Sequence, residues 1–371
     1  MRNDCRCWIE IRTANLVENL RRIRRHAGGA AALVVIKNNA YGIGVREVVR
    51  ALAASGEAAR FGVASLAEAI EIADFGVPVQ IISGILPAEI PEAVDRGFIL
   101  PVNSVEAARL ISAEATRRNR TPHVELKTDV GMGRVGLRHE TFDDELPEIL
   151  KLHNLACRGI FAHLPVSGIP DDPLTREEIA RLKAIIARWE AKGVRFDFRH
   201  IAASGAICCY PEATAAPFNM IRPGIILHGF SAAGGLELLP GTEFKARVIA
   251  IRELPAGATL GYGRQYRMPR RGRVAVVSAG YADGVPIALT NRGVFLVGGS
   301  PAPVVGRVSM DYTMVLLPDD TPEPIRVGDE VVLFGEQRGR RAPMEEWARI
   351  KGVPSQDILC SLGRRPERVY L

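Results

Sequence analysis

Across the first two thirds of the chain, short apolar runs alternate with amphipathic helical patterns, eight times over. The runs cover residues 33–36, 61–64, 79–82, 98–101, 123–126, 159–162, 198–202 and 221–227. Helix punctuation lies between them. Ser65 with Glu68 reads as a capping box and Gly76 as a stop; Asn103 with Glu106 repeats the start signal. Thr13 caps a first helix that carries Leu16, Leu20 and Ile23 on one face and stops at Gly28-Gly29. From Asp171 to Lys192 a longer pattern aligns Ile179, Leu182, Ile185, Ile186 and Trp189, with Gly193 closing it. Strands alternating with helices imply βαβ units and a parallel sheet. Eight such units in roughly 200 residues fit a closed (β/α)8 TIM-like barrel better than a doubly wound open sheet, the alternative.

The pattern changes at the glycine-rich stretch 231–235. Beyond it the runs are β-like and broken by turns, at 245–254, 274–280, 294–297, 304–317 and 331–334, with helical patterns only near 343–350 and 354–362. An α/β chain is expected, with a barrel over residues 1–237 and a mostly-β domain over 238–371. The early run 7–11 is either the barrel's lead-in or a strand given to the second domain. A chain of 371 residues with 47% hydrophobic and 24% charged residues has the material for two folded domains and excludes disorder. A net charge of +6 leaves no nucleic-acid or membrane footprint. No 18-residue apolar stretch and no signal-peptide apolar run occur, so a cytoplasmic protein is the expectation. Six cysteines are too sparse for a disulfide scaffold; Cys5/Cys7 and Cys208/Cys209 lack zinc spacing and read as free thiols.

In such a barrel, residues just past the strand C-termini line the active-site face. Lys37 ends the first apolar run and is followed by Asn-Asn-Ala-Tyr41-Gly. A desolvated lysine suits Schiff-base chemistry, while a lysine that snorkels out at the rim is an equal reading on position alone. Lys127 ends the fifth run, ahead of Thr-Asp-Val-Gly-Met-Gly-Arg134, where two glycines let the backbone bend and Arg134 meet a carboxylate. His163 ends the sixth run; His200 and Ser204 follow the seventh; Arg222-Pro-Gly224-Ile225 lies on the eighth. Loops after strands seven and eight are the usual phosphate site of such barrels. A lysine, a phosphate cradle and several cations on one face describe a pocket for pyridoxal 5'-phosphate (PLP).

These segments resemble the alanine racemases, almost from end to end. The carriers of the likeness are Val35-Ile-Lys37-Asn-Asn-Ala-Tyr41-Gly, Lys127-Thr-Asp-Val-Gly-Met-Gly-Arg134-Val-Gly and Arg222-Pro-Gly-Ile. In the second domain they are Gly261-Tyr262-Gly263, Gly280-Tyr281-Ala-Asp-Gly284 and Gly306-Arg-Val-Ser-Met310-Asp311. The resemblance implies that Lys37 holds PLP and acts as base on one face of the substrate Cα. Tyr262, from a partner subunit, would be the base on the other face. Tyr41, Ser204, Gly224 and Ile225 would hold the phosphate, and Arg222, oriented by His200, would face the pyridine nitrogen. His163 would lie against the ring and join a network with Tyr262 and Asp311. Arg134 and the Met310 N–H would bind the substrate carboxylate, with Lys127, open to carbamylation, positioning Arg134. Tyr281 would line the access channel. The expected form is a homodimer with shared sites that makes D-alanine for the cell wall.

The sequence departs from the family's pattern in three places. Ala203-Ser204 replaces the usual Asn-Ser after His200, His163-Leu-Pro165 is atypical, and Arg364 stands where a tyrosine is usual at the phosphate and substrate pocket. A pocket of methyl size discriminates weakly against a small added hydroxyl. Serine or broader amino-acid specificity is therefore the alternative, followed by a non-catalytic PLP carrier or a PLP decarboxylase of the same barrel class.

Overall fold

The computed structural model describes residues 5–230, 235–319 and 323–371. All eight apolar runs contribute parallel strands: Ala31–Val35, Arg60–Val63, Val79–Ile81, Leu100–Val102, His123–Asp129, Ala156–Ala162, Phe198–His200 and Met220–Ile221. Consecutive strands pair side by side, the last pairs with the first, and bridges at Gln80–Ile99 and Ala203–Arg222 join the two arcs. The ring is closed, so the open-sheet alternative falls.

The eighth strand is shorter than its apolar run. It stops at Ile221, and Ile225–His228 forms a turn of 3-10 helix. Pro223 has no N–H to give to a ladder, and the Gly224 N–H donates to Ser204 Oγ at 3.1 Å instead of to a strand.

Helix starts also differ in detail. Ser65 accepts from the Glu68 N–H at 3.3 Å, but the Glu68 carboxylate reaches past Ser65 to the N–H groups of Ala64 and Asn38, at 2.6 and 2.7 Å. Ser104, not Asn103, caps Val105–Arg117, accepting from the Ala107 N–H at 3.0 Å. Both residues are capable acceptors; Ser104 has the extended backbone of a cap. Thr13 is the first helical residue, and its N–H and hydroxyl both donate to the Leu371 carbonyl, at 2.9 and 3.0 Å. Asp172 caps Pro173–Glu190, whose buried face carries Ile179, Leu182, Ile185, Ile186 and Trp189 against the barrel. Burial of each contributes about 1.5–3 kcal/mol before chain entropy is subtracted.

The C-terminal domain is built on a nine-stranded sheet. Its spine, Thr242–Leu254, pairs antiparallel with Cys7–Ile11, Gly272–Val277 and Glu330–Gln337. Cys7–Ile11 pairs on its other side, in parallel, with Glu367–Tyr370. The first strand of the chain therefore lies in the second domain's sheet and is not a lead-in to the barrel. Buried polar groups fix it there: Trp8 Nε1 donates to Glu10 at 2.9 Å, and Lys245 Nζ pairs with Glu10 at 2.9 Å. The run 304–317 yields a strand only at Thr313–Leu316, because a loop opening at Gly306 (φ +76) interrupts it. The glycine-rich stretch read as the domain junction lies, except for Gly235, outside the described residues. No helix among the described residues is long and apolar enough to cross a membrane.

Candidate active site

Lys37 opens a left-handed turn. Asn38, Asn39, Ala40 and Tyr41 have φ of +53, +54, +52 and +60. Asparagine visits this region readily; alanine and tyrosine do so at a cost of about 1–2 kcal/mol each. The surroundings hold the turn. The Gly42 N–H donates to the Asn38 carbonyl at 2.8 Å, and the Val45 N–H to Asn39 Oδ1 at 2.7 Å. From the C-terminal domain of the same chain, Arg368 Nη2 donates to the Gly42 carbonyl at 2.9 Å and the Tyr370 hydroxyl to the Ile43 carbonyl at 2.8 Å. A side chain at Gly44 would collide with the Tyr370 hydroxyl, and one at Gly42 would come within 2.9 Å of the Leu359 carbonyl. The end of the chain thus clamps the turn that presents Lys37.

Lys37 faces a cavity of about 530 Å³ at the barrel mouth, within the size range of small-molecule sites. Tyr41, His163, Ser204, Arg222 and Ile225 line it as well. Gly224 lies directly behind: its N–H bonds Ser204 Oγ, and a Cβ there would collide with the Tyr41 hydroxyl. Ser204 opens the short helix Ser204–Cys209, so its free N–H groups and hydroxyl share one corner with Tyr41 and Ile225. Burial keeps the Tyr41 phenol protonated, raising its pKa. This corner has the donors and the room a phosphate needs.

Arg222, on the cavity floor, is almost fully buried. Its Nη1 donates to His200 Nδ1 at 2.6 Å and to the His200 carbonyl at 3.1 Å; Nη2 donates to the Ala162 and Ile201 carbonyls at 2.6 and 2.9 Å. Burial lowers its pKa to about 10, still far enough above neutrality to keep the cation. The ring of His200, read from the sequence as the group that orients Arg222, is fully buried and stacks on Phe161 at 5.0 Å. Burial lowers its pKa to about 4, and the ring is neutral.

Lys127 Nζ donates to the carbonyls of Ile82 and Ser83 at 2.6 and 2.9 Å. Burial, then the positive charge of Arg222, Arg134 and Lys37, lowers its pKa to about 8. Near neutral pH a useful fraction of this amine is unprotonated. Arg134 is exposed at the rim, on a loop wound about Asp129, whose carboxylate accepts from the N–H groups of Gly131, Gly133 and Arg134 at 3.0, 3.1 and 3.1 Å. His163 is lowered to about 3 by burial and by the same cations.

The remaining sequence-selected residues are not in this cavity. Tyr262, Met310 and Tyr281 lie on the C-terminal domain with 72%, 52% and 43% of their surface exposed. Asp311 pairs with Arg365 Nη1 at 2.6 Å, not with His163. Arg364 is exposed and does not line the cavity beside Lys37. Conversely, Met132, Ser167, Gln356, Asp357 and Cys360 line the cavity without having been singled out. The last three come from the C-terminal domain of the same chain, and only the packing of helix Ser355–Cys360 onto the Lys37 turn reveals them. Glu125, Arg60 and Gln80 are buried beneath Arg222, and the signal for them in the sequence is a glutamate inside an apolar strand.

Comparison with known proteins matches this geometry. Residues 11–232 match the family described as alanine racemase, N-terminal domain, and residues 242–370 match alanine racemase, C-terminal domain. An alanine racemase of Symbiobacterium thermophilum is 34% identical over 369 residues, covering 98% of this chain and 96% of its own. The crystal structure of alanine racemase from the D-cycloserine-producing Streptomyces lavendulae has a TM-score of 0.90 at 30% identity, covering 99% of this chain and 97% of that one. That of the Bartonella henselae alanine racemase, with covalently bound pyridoxal phosphate, has a TM-score of 0.87 at 25% identity, with 99% of each chain covered. With its α/β barrel, its mostly-β second domain and matches along both, this chain belongs to the alanine racemase family and is an isomerase of the racemase class.

Proposed function

We propose that the chain interconverts L- and D-alanine with PLP held in the barrel-mouth cavity, a second copy of the chain supplying Tyr262. The observation that carries this reading is the convergence of Lys37, Tyr41, Ser204 and Arg222 on one cavity. The residues present fit the cofactor. Lys37 is the amine that would hold it, and the Tyr41, Ser204, Gly224 and Ile225 corner offers donors to a phosphate. Arg222, fixed by four acceptors, would face the pyridine nitrogen. When bound, PLP supplies an electron sink that acidifies the Cα–H of an attached amino acid.

The chain's own groups then divide the proton work. Lys37 takes or returns the Cα proton on one face, and the Tyr262 oxygen of the second copy does so on the other. Arg222 does not give up its proton, so it would leave the ring nitrogen of bound PLP unprotonated and the sink weak. A weak sink would disfavour side reactions such as transamination. Arg134 and the Met310 N–H take the substrate carboxylate, and Tyr281 lines the way in. His163 would pack at the ring, and its network with Tyr262 and Asp311 would form when two copies meet. Lys127, with its lowered pKa, is suited to carbamylation, which would turn a cation beside Arg134 into an anion. Arg364 and Ala203 leave the size of the substrate pocket as the variable. The family's role carries the last element of the proposal, that D-alanine made in the cytoplasm feeds the cell-wall peptide.

The exposure of Tyr262, Tyr281 and Met310, none of which lines the cavity beside Lys37, supports the shared site. Co-refolding of inactive Lys37→Ala and Tyr262→Phe chains tests it. In a mixed dimer one site carries both lesions and the other neither, so about half of wild-type activity per dimer is expected. No recovery on mixing rejects the shared site. Racemisation measured with L-alanine and L-serine in parallel separates alanine specificity from the broader alternative.

A further inference from the structure

Beneath Arg222 lies a buried polar layer that spans the barrel. Glu125, in the fifth strand, is 0% exposed. Its Oε2 lies 2.9 Å from His200 Nε2 and accepts from Gln80 Nε2 at 2.7 Å; its Oε1 accepts from Arg60 Nη1 at 2.6 Å. Gln80 Oε1 accepts a second bond from Arg60 at 3.2 Å. Gly159, on the sixth strand, leaves the space: a Cβ there would fall 2.6 Å from the Glu125 carboxyl carbon.

The partners dictate one proton arrangement. Arg222 Nη1 can only donate, so its bond to His200 requires a lone pair on Nδ1. The neutral ring then has its hydrogen on Nε2, where it meets Glu125 Oε2. Burial works against charge on Glu125, yet His123, His200 and Arg60 hold its carboxyl well below the usual range, so it is an acceptor at every site it offers. Were the His200 hydrogen on Nδ1, it would point at the guanidinium and push Arg222 from the cavity floor.

We propose that Glu125 is a positioning residue for Arg222, acting through His200 by fixing the ring tautomer that lets Nδ1 accept from the guanidinium. Arg60 and Gln80 bond the same carboxylate. The consequence for turnover rests on the PLP reading above; the tautomer does not.

The test uses the full-length protein labelled with 15N-histidine, before and after loading with PLP, the His200 signals being assigned by their loss in His200→Gln. The wild-type ring should show a protonated Nε2 and a bare Nδ1. Removing Glu125 alone would strand Arg60, so the variant is Arg60→Met/Glu125→Met, which deletes both charges together. It should lose the fixed tautomer. Arg60→Met alone should keep it, and Arg60→Met/Glu125→Gln, whose amide oxygen can again accept from His200, should restore it. In the loaded enzyme, kcat of the double methionine variant should fall on the order of tenfold to a hundredfold with KM little changed, as expected of a displaced group. An unchanged tautomer in the double methionine variant overturns the proposal, and so does a lost tautomer with wild-type kcat. Failure of every variant and of the wild type to bind PLP would instead reject the cofactor reading and leave the tautomer result standing.

Discussion

The barrel and the C-terminal domain hold their candidate functional side chains in opposite ways. In the barrel, Lys37, Tyr41, His163, Ser204 and Arg222 face one cavity at the barrel mouth, and although Lys37 is exposed, several of the others are buried with strongly shifted pKa values. On the C-terminal domain, Tyr262, Tyr281 and Met310 project from the surface. A cavity organised by burial can bind a cofactor within one chain. Side chains left exposed can serve catalysis only after a second surface encloses them. The two domains are nonetheless not independent, because Arg368 and Tyr370 clamp the Lys37 turn from below.

The sharpest way to break this contrast is to compare Lys37→Ala with Tyr262→Phe. Lys37→Ala should abolish racemisation and remove the visible absorbance of lysine-bound PLP. Tyr262→Phe should keep that absorbance while lowering racemisation by about 10²–10⁴-fold, the usual worth of a proton-transfer group. Loss of the cofactor signal in Tyr262→Phe would erase the division between the regions.

A second test is acid stability. All 7 histidines of the chain lie at or before residue 228, so none belongs to the C-terminal domain. His163, His200 and His228 are lowered to about 3, 4 and 3, chiefly by burial. Between those values and the unfolded value near 6.5, the unfolded chain binds protons that the folded chain refuses. Stability is therefore full above about pH 6.5 and falls as pH drops towards 4, with a limiting slope of about 1.4 kcal/mol per pH unit for each ring. Urea unfolding between pH 7 and 4 checks this, and a flat profile contradicts neutral buried rings. Signals from the barrel should be lost first.

The smallest expected effect is on the other side of the comparison. Arg365 binds the buried Asp283 through two bonds, at 2.9 and 2.7 Å, but is itself half exposed. Arg365→Ala should cost about 1 kcal/mol, since solvent screens the pair and the Gly280 N–H still serves Asp283. A loss of several kcal/mol would show that this domain also depends on buried charge.

Much of the cavity was legible because its residues follow strand ends. Lys37, His163 and Ser204 each come just after an apolar run, and barrel geometry sends such positions to one face. Ala203 and Arg364 show the limit: their positions are plain in the sequence, but only packing places the first on the cavity wall and the second outside it. Gln356, Asp357 and Cys360 were invisible because no local pattern says that a helix more than 300 residues away in sequence will cover the Lys37 turn.

The sequence by itself determined the eight-fold alternation, the buried faces of the helices and the chemical types gathered at the strand ends, because these depend on periodicity and local backbone preference. Tertiary structure alone decided that Cys7–Ile11 joins the distant sheet, that Arg368 and Tyr370 clamp the Lys37 turn, and that His200 holds its proton on the Glu125 side. Those outcomes depend on which donors and acceptors meet when water is excluded, and that is settled only by the closed fold.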